Sequence, residues 1–262
     1  MYTLYVIPGS HACRSGMLML EHKRISYRRV EFITLTHATM ARLHGFDAGG
    51  QTRAAGGKRT LGIRMGDFLG TVPGLADGRQ RISTNYRIAR YLDQRHPEPP
   101  LLPSDPELRA QVEEAEQWAN AALQMDARRI VFSAVLRDPA SFAEAAGDGR
   151  MESLLYRNAR ARRLIAPWIG RSVFATKPAD EAELLETLSA SLDRVDDWIG
   201  RGVLNGPQLN VADFMVAPSL ALILYRRDLQ PLFDGRPALE LVDRLLPEPE
   251  PDASQSRVAA TA

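Results

Sequence analysis

The chain contains a single cysteine, Cys13, among its 262 residues. One cysteine excludes an internal disulfide and a metal site built from several thiolates. The five histidines are scattered without the spacing of metal ligands, so we expect no metal. The formal net charge of +1 provides no long-range field that would attract nucleic acid or an anionic membrane.

Long apolar runs are also missing. The longest, Phe214–Leu224, is interrupted by Pro218 and Ser219 and is much shorter than the roughly 20 residues that a membrane helix needs. Met1–Leu4 leads directly into a strand pattern, without the basic and apolar regions of a secretory signal. With 45 % apolar and 25 % charged residues, the composition is that of a globular protein. We therefore expect a cytoplasmic protein with no nucleic-acid or membrane partner.

The first thirty residues predict a βαβ unit. Thr3–Ile7 is β-branched and apolar, ends at Pro8-Gly9, and is typical of a buried strand. Ser10 stands where a helix is capped, Cys13–Lys23 contains helix formers, and Tyr27–Phe32 reads as a second strand. Strands joined by a helical crossover are parallel.

Residues 36–66 are rich in glycine and arginine and show little periodicity beyond a short helix over Ala38–Leu43. We predict a loop insertion here. Gly57-Lys58 superficially resembles a phosphate-binding loop. However, Thr52 replaces its first glycine and Arg59 its Ser/Thr, so the segment does not predict nucleotide binding.

A hairpin and a helix follow the loop. Val72–Leu75 leads into Ala76-Asp77-Gly78, and a return strand ends near Ile82. Ser83, Thr84 and Asn85 are three candidate caps for the next helix, which has Ile88, Ala89 and Leu92 at helical spacing.

The remainder predicts a second, all-helical domain. We predict four segments: an α/β domain over 1–96, a proline-rich linker over 97–106, a helical domain over 107–246 and a disordered tail over 247–262. The expected helices are Leu108–Val135, Met151–Ile169, one carrying the apolar stripe Leu184, Leu188, Leu192, Val195 and Ile199, one opened by a capping box at Asn210 and Asp213, and Ala238–Leu246.

Three motifs in this order resemble the glutathione S-transferase superfamily. Ser10-His11-Ala12-Cys13-Arg14 is similar to the strand-to-helix turn of its theta-like, serine-type members. Thr71-Val72-Pro73 is similar to the turn that thioredoxin-like folds hold with a cis proline. Leu204-Asn205-Gly206 followed by Asn210-x-x-Asp213 is similar to the superfamily's helix-capping segment. The resemblance implies a thioredoxin-like domain, an all-helical domain and a homodimer.

The resemblance implies that Ser10 is catalytic and orients a bound thiolate, although the same residue can be a helix cap only. Cys13 lies near a helix start that lowers a thiol pKa, so it is a second catalytic candidate, for thiol–disulfide exchange. The alternative is a small buried packing residue. His11 is either a polar contact to the thiol or a surface residue.

The resemblance also assigns the thiol-binding positions. The backbone of Val72 beside Pro73 pairs with a peptide-like ligand in the manner of a strand. Thr84 and Asn85 stand where superfamily members have an acid or Gln followed by Ser, which hold the γ-glutamyl group of glutathione. Thr84 and Asn85 can hydrogen-bond a carboxylate, but no acid is left there to pair with the ammonium group.

Further positions follow from the helical half. Trp118, Met125 and Arg128 are candidates for the wall of an electrophile pocket, with ordinary helix packing as the alternative. Asn210 and Asp213 are expected to be structural. No cofactor is expected, because the thiol is a co-substrate.

The leading hypothesis is therefore a transferase that joins glutathione or a related thiol to a small apolar electrophile. Two alternatives stay open. One is a non-catalytic protein of the same fold that binds ligands or a partner chain, and the other is a reductase that uses Cys13.

Overall fold

The computed structural model describes residues 1–33, 36–48, 69–138 and 159–247. Most of the predicted 36–66 loop, the start of the predicted helix Met151–Ile169 and nearly all of the tail lie outside the described residues. In the first half the elements are β1 (Tyr2–Val6), α1 (His11–His22), β2 (Tyr27–Glu31), α2 (His37–Leu43), β3 (Gly74–Asp77), β4 (Gln80–Ser83) and α3 (Asn85–Arg95).

The four strands form one mixed sheet in the order β2-β1-β3-β4. Strand β1 is parallel to β2, as the βαβ reading predicts, and antiparallel to β3. Strands β3 and β4 form the expected hairpin, in which Asp77 pairs with Gln80 across the turn. This is a thioredoxin-like arrangement, so the predicted fold of the first half is confirmed.

The apolar side chains of β1 point alternately to the two faces of the sheet. They therefore contribute to a hydrophobic cluster on each face. Leu4 and Val6 join the large core that includes α1, α3 and the helical half. Tyr5 points to the opposite face and packs in a small cluster with Phe32 and Phe46. Gly74 lies directly under Phe46, where a Cβ would come within 2.8 Å of the ring, so this position needs glycine.

The second half is helical throughout its described part. Its helices are α4 (Pro106–Trp118), α5 (Gln124–Arg137), α6 (Ala159–Ser172), α7 (Glu181–Gly200), α8 (Val211–Ile223) and α9 (Pro237–Leu245). The predicted single helix Leu108–Val135 is α4 and α5 joined through a π-helical turn, Ala119–Leu123. None of the described helices is both long and apolar enough to cross a lipid bilayer.

Helix α8 is completely buried, since all thirteen of its residues are shielded from solvent. The predicted capping box is present at its start. The Asp213 carboxylate accepts from the amides of Asn205 and Asn210, at 2.7 and 2.8 Å, and the Asn210 side chain accepts from the Ala212 amide. Burial raises the pKa of Asp213 to about 6, despite these two hydrogen bonds.

A buried ion pair attaches the linker to the first half. Lys23, at the end of α1, places its ammonium group 2.7 Å from Asp93 of α3 and donates to the carbonyl oxygens of His96 and Pro99. Asp93 in turn accepts from the amides of Leu101 and Leu102. Lys23 therefore binds carbonyl oxygens at the start of the linker while Asp93 binds its amides, so this one ion pair fixes the linker to the first half.

Candidate active site

Helix α1 begins at the end of β1, with Ser10 as its cap. The backbone of Ser10 is extended, and its Oγ accepts from the Cys13 amide at 3.3 Å. Ser10 is half-buried, so part of the residue remains accessible to a small ligand. The first amides of a helix have no partner inside the helix and carry partial positive charge. The capping role is thus observed, and the thiolate-orienting role stays a prediction.

The bend before β3 lies against the first turns of α1. The Val72–Pro73 peptide bond is cis, as the resemblance implies. A Cβ on Gly16 of α1 would lie 3.4 Å from the Pro73 ring, so helix and proline are in direct contact. Within the described residues, no acceptor pairs with the Val72 amide. This amide is therefore free to pair with an extended ligand.

The start of α3 meets the same place. Asn85 donates from Nδ2 to the Ala12 carbonyl of α1 at 2.7 Å, and its Oδ1 is buried with no partner among the described residues. Asn85 therefore joins α3 to α1. The geometry gives its amide nitrogen a protein partner, and its predicted contact to a ligand carboxylate stays a prediction.

Thr84 caps α3 in an unusual backbone conformation. Its φ is 73° and its ψ 144°, and its Oγ1 accepts from the Arg87 amide at 3.4 Å. Its own amide donates to the Pro73 carbonyl at 3.2 Å. A β-branched residue at positive φ is strained, and such residues concentrate at binding sites. The hydrogen bond from the Thr84 amide joins the start of α3 to the bend at Pro73.

His11 lies in the interface between the two halves rather than on the surface, so the surface alternative is wrong. The side chain is 2 % exposed, and Nδ1 lies 3.2 Å from the Ser219 hydroxyl of α8. Ser219 donates to the Met215 carbonyl, so Nδ1–H is the donor to Ser219 and Nε2 carries a lone pair. No group in the described part of the chain pairs with Nε2. Burial and the nearby charge of Arg128 lower the pKa of His11 well below its usual value, so the ring is neutral.

Cys13 is buried under the start of α1. It is 1 % exposed, and its Sγ accepts from the Ile7 amide at 3.5 Å. Burial raises the pKa of the Cys13 thiol, outweighing the hydrogen bonds from Ser10 and Ile7 and the charge of Arg128. This environment favours a neutral, packed thiol, whereas exchange chemistry needs an accessible thiolate. Its catalytic role stays a prediction without support from the geometry.

The three predicted pocket residues have different surroundings. Trp118 packs edge-to-face on Trp198 of α7, with ring centroids 5.2 Å apart, and is part of the helix packing. Met125 is half-buried on α5. Arg128 lies over the Phe174 ring at 5.7 Å, and its charge reaches both His11 and Cys13.

No family model matches the chain. Solved structures match nearly its whole length. Glutathione transferase F2 from Populus trichocarpa has a TM-score of 0.59 at 15 % identity, with 99 % of this chain and 98 % of that chain covered. FzlA from C. crescentus has a TM-score of 0.58 at 16 % identity, covering 93 % and 87 %. A glutathione S-transferase of Ceriporiopsis subvermispora, solved in complex with glutathione, has a TM-score of 0.56 at 18 % identity, covering 95 % and 99 %.

These likenesses show that the chain has the fold of the glutathione S-transferases. Sequence similarity is local. Glutathione S-transferase Z2 from Arabidopsis thaliana is 55 % identical over 42 residues, which are 16 % of this chain. The chain spans about a fifth of the length of the curated relatives that it matches. The theta-like subclass stays a prediction.

One polar cluster in this transferase fold was missed from the sequence. Glu116 of α4 is 2 % exposed and forms an ion pair with Arg90 of α3 at 2.7 Å, joining the two halves. The Arg90 guanidinium also stacks on Tyr86, 3.7 Å from the ring centroid. The available signal was Glu116 itself, which falls beside Val112 and Ala115 on the buried face of α4.

The Glu116 pair predicts how stability depends on pH. Burial raises the pKa of Glu116 from 4.5 to about 7, although Arg90 opposes the shift. Between these values the folded state holds a proton that the unfolded state has lost, so this residue makes stability fall as pH rises from 4.5 to 7. We expect Glu116→Gln to flatten that fall in urea-unfolding curves measured at successive pH values.

Glu114→Gln is the matched control. Glu114 lies on the same helix, and its side chain is exposed. The control should retain the wild-type pH dependence. Identical curves for Glu116→Gln and the wild type would contradict the assignment.

In the part of the chain that the structure describes, no three His, Cys, Asp or Glu side chains are grouped to hold a metal ion.

Proposed function

We propose that the protein transfers a low-molecular-weight thiol, glutathione or a relative of it, to a small electrophile. One observation carries the proposal. The start of α1, the cis bend at Pro73 and the start of α3 lie together, held by the Asn85–Ala12 hydrogen bond and the Gly16–Pro73 contact. The starts of two helices therefore lie beside the Val72 backbone, whose amide has no acceptor among the described residues.

Such an arrangement suits a peptide thiol, because one helix start can bind the thiolate and the other the distant carboxylate. A helix start is equivalent to roughly half a positive charge and lowers the pKa of a nearby thiol. We expect the Ser10 hydroxyl to donate to the thiolate at α1. The Val72 backbone would pair with the peptide unit, and the amides at the start of α3 would bind the distant carboxylate.

Proteins of similar fold support the choice of thiol. The Ceriporiopsis structure holds glutathione, and we extend that ligand class to this chain as part of the proposal. The proposal includes no further cofactor, a cytoplasmic location and a homodimer, the last from the superfamily resemblance.

A second candidate is a non-catalytic binding protein. Asn85 favours this candidate. Its Nδ2 already donates to the Ala12 carbonyl, and its Oδ1 presents an acceptor where superfamily members have the hydroxyl of a serine. Thr84 likewise leaves no acid to pair with the ammonium group of glutathione.

Titration calorimetry separates the two candidates. Glutathione, cysteinylglycine (which lacks the γ-glutamyl group) and S-methylglutathione (which lacks the thiol) are titrated into the full chain. Turnover of a chlorodinitrobenzene is then measured with each thiol that binds. Saturable binding with turnover supports the transferase. Saturable binding without turnover, or no binding of any of the three, supports the non-catalytic protein.

A further inference from the structure

We propose that the outward side of α6 binds the surface of an anionic lipid bilayer. Leu164 and Trp168 would insert among the lipid headgroups, and Arg163 and Arg171 would bind the lipid phosphates. The inference does not depend on the proposed thiol transfer. It departs from the sequence-based expectation of no membrane partner, which relied on the net charge of the whole chain.

The evidence begins with two large apolar side chains that project from α6 into solvent. Leu164 is 76 % exposed and Trp168 is 54 % exposed. They are four residues apart, so they lie one above the other on the same side of the helix. Single exposed apolar residues are ordinary, whereas contiguous ones mark interaction surfaces. The other large apolar residues exposed in the described part of the chain are each on a different element: Met1, Ile33, Leu43, Tyr86 and Leu232.

The opposite side of α6 is packed against the helical half. Ala166 and Ile169 are buried. A Cβ on Gly170 would lie 3.2 Å from Phe132 of α5, so the two helices approach each other closely at this glycine. Because this packing fixes the orientation of α6, its outward side keeps the apolar pair in solvent.

The charge of α6 has one sign. The helix contains four arginines and no acidic residue, whereas the net charge of the whole chain is only +1. Arg163 and Arg171 are exposed and stand at either end of the apolar pair. Within the described residues, neither of these two arginines has an ion-pair partner. The complementary surface is therefore one that carries negative charge and accepts apolar side chains.

The extent of this surface favours a bilayer over a protein. A stable protein interface buries about 800 Å² on each partner, whereas the apolar part of this surface is two side chains on one helix. A second copy of the chain, placed symmetrically on the same side of α6, would set arginines against arginines. Trp and Leu flanked by arginines are typical of helices that lie at a lipid surface, where the indole ring sits at the headgroup level.

The test measures binding of the full chain to vesicles of defined composition. The protein is sedimented with vesicles of phosphatidylcholine alone, and with vesicles of about three parts phosphatidylcholine to one part phosphatidylserine, at low and at high salt. We expect binding to the anionic vesicles to be about tenfold tighter or more, and to weaken at high salt.

Trp168 also reports its own insertion. Binding to anionic vesicles should shift tryptophan fluorescence to shorter wavelength, and brominated lipid should quench it, because an exposed indole enters the headgroup region. Trp118 and Trp198 pack against each other and should not contribute to the change. Trp168→Phe should remove the fluorescence change and keep most of the binding.

Two double variants separate the charge from the apolar contact. We expect Arg163→Gln/Arg171→Gln to lower the affinity for anionic vesicles by about tenfold or more. Leu164→Ser/Trp168→Ser should also lower it by about tenfold or more. All four side chains are exposed, so thermal unfolding should be unchanged in both variants.

Matched controls change the same chemistry elsewhere. Arg79→Gln/Arg227→Gln removes the same net charge from two exposed positions outside α6. Leu43→Ser removes an apolar side chain that is 75 % exposed on α2. Both controls should bind vesicles as the wild type does. Losses as large in the controls as in the α6 variants would overturn the proposal, and so would equal binding to neutral and anionic vesicles. Absence of binding to either kind would overturn it too, and would leave an acidic protein as the occupant of this surface.

Discussion

Asp93→Ala should lower the free energy of unfolding by about 3–5 kcal/mol, the range found when one partner of a buried ion pair is removed. The side chain of Lys23 has no exposed surface, and its ammonium group lies 2.7 Å from Asp93. After the substitution this charge keeps the carbonyl oxygens of His96 and Pro99 but loses its counter-charge. The amides of Leu101 and Leu102 lose their acceptor at the same time. The midpoint of urea unfolding reports the loss.

The double variant Lys23→Met/Asp93→Ala tests whether the unpaired charge of Lys23 causes the loss of stability. It removes the buried charge together with its partner, so we expect it to be more stable than Asp93→Ala alone. A loss below about 1 kcal/mol in Asp93→Ala, the value of an exposed ion pair, would show that the pair does not hold the linker. A double variant that is no more stable than Asp93→Ala would show the same.

Ser10→Ala should lower kcat/KM for thiol transfer by about tenfold or more, with the fold intact. The hydroxyl is the side-chain group at the start of α1 that can donate to a thiolate, and one hydrogen bond to a charged group is worth about 1.5–3 kcal/mol. Loss of the cap itself costs only about 1 kcal/mol of stability. Transfer rates and thermal unfolding of the variant are measured together.

Two further variants separate catalysis from capping. Ser10→Thr keeps a hydroxyl and a cap, so it should retain a measurable share of the rate. Asp105→Ala removes a comparable cap from α4, where Asp105 accepts from the Leu108 amide at 2.8 Å. It should lose similar stability with an unchanged rate. A wild-type rate in Ser10→Ala would leave Ser10 as a cap only.

The fold could be predicted from the sequence because its signals are local. The apolar, β-branched run in β1, the turn Ala76-Asp77-Gly78 and the capping box at Asp213 each require only a few adjacent residues. The same holds for Ser10, whose capping hydrogen bond spans three residues. Helix bounds agreed closely for these reasons.

The surroundings of the site residues could not be predicted, because they depend on contacts between distant segments. His11 meets Ser219 across 208 positions, and Asn85 meets Ala12 across 73. For Trp118 the sequence left open a pocket wall or ordinary helix packing, and only the tertiary structure shows that it packs against Trp198 of α7. The π turn before α5 also changes which side chains share a face, and helical spacing alone does not reveal it.

We expect the start of α1, beside the cis bend at Pro73, to favour a bound thiolate. The direct measurement is the ultraviolet absorbance of thiolate for glutathione held at saturation on the full chain, recorded against pH and corrected for the free protein. We predict that the pKa of the bound thiol lies about one unit or more below that of an ordinary free thiol, which is about 8.5. A bound thiol that titrates at or above the free value would contradict the account.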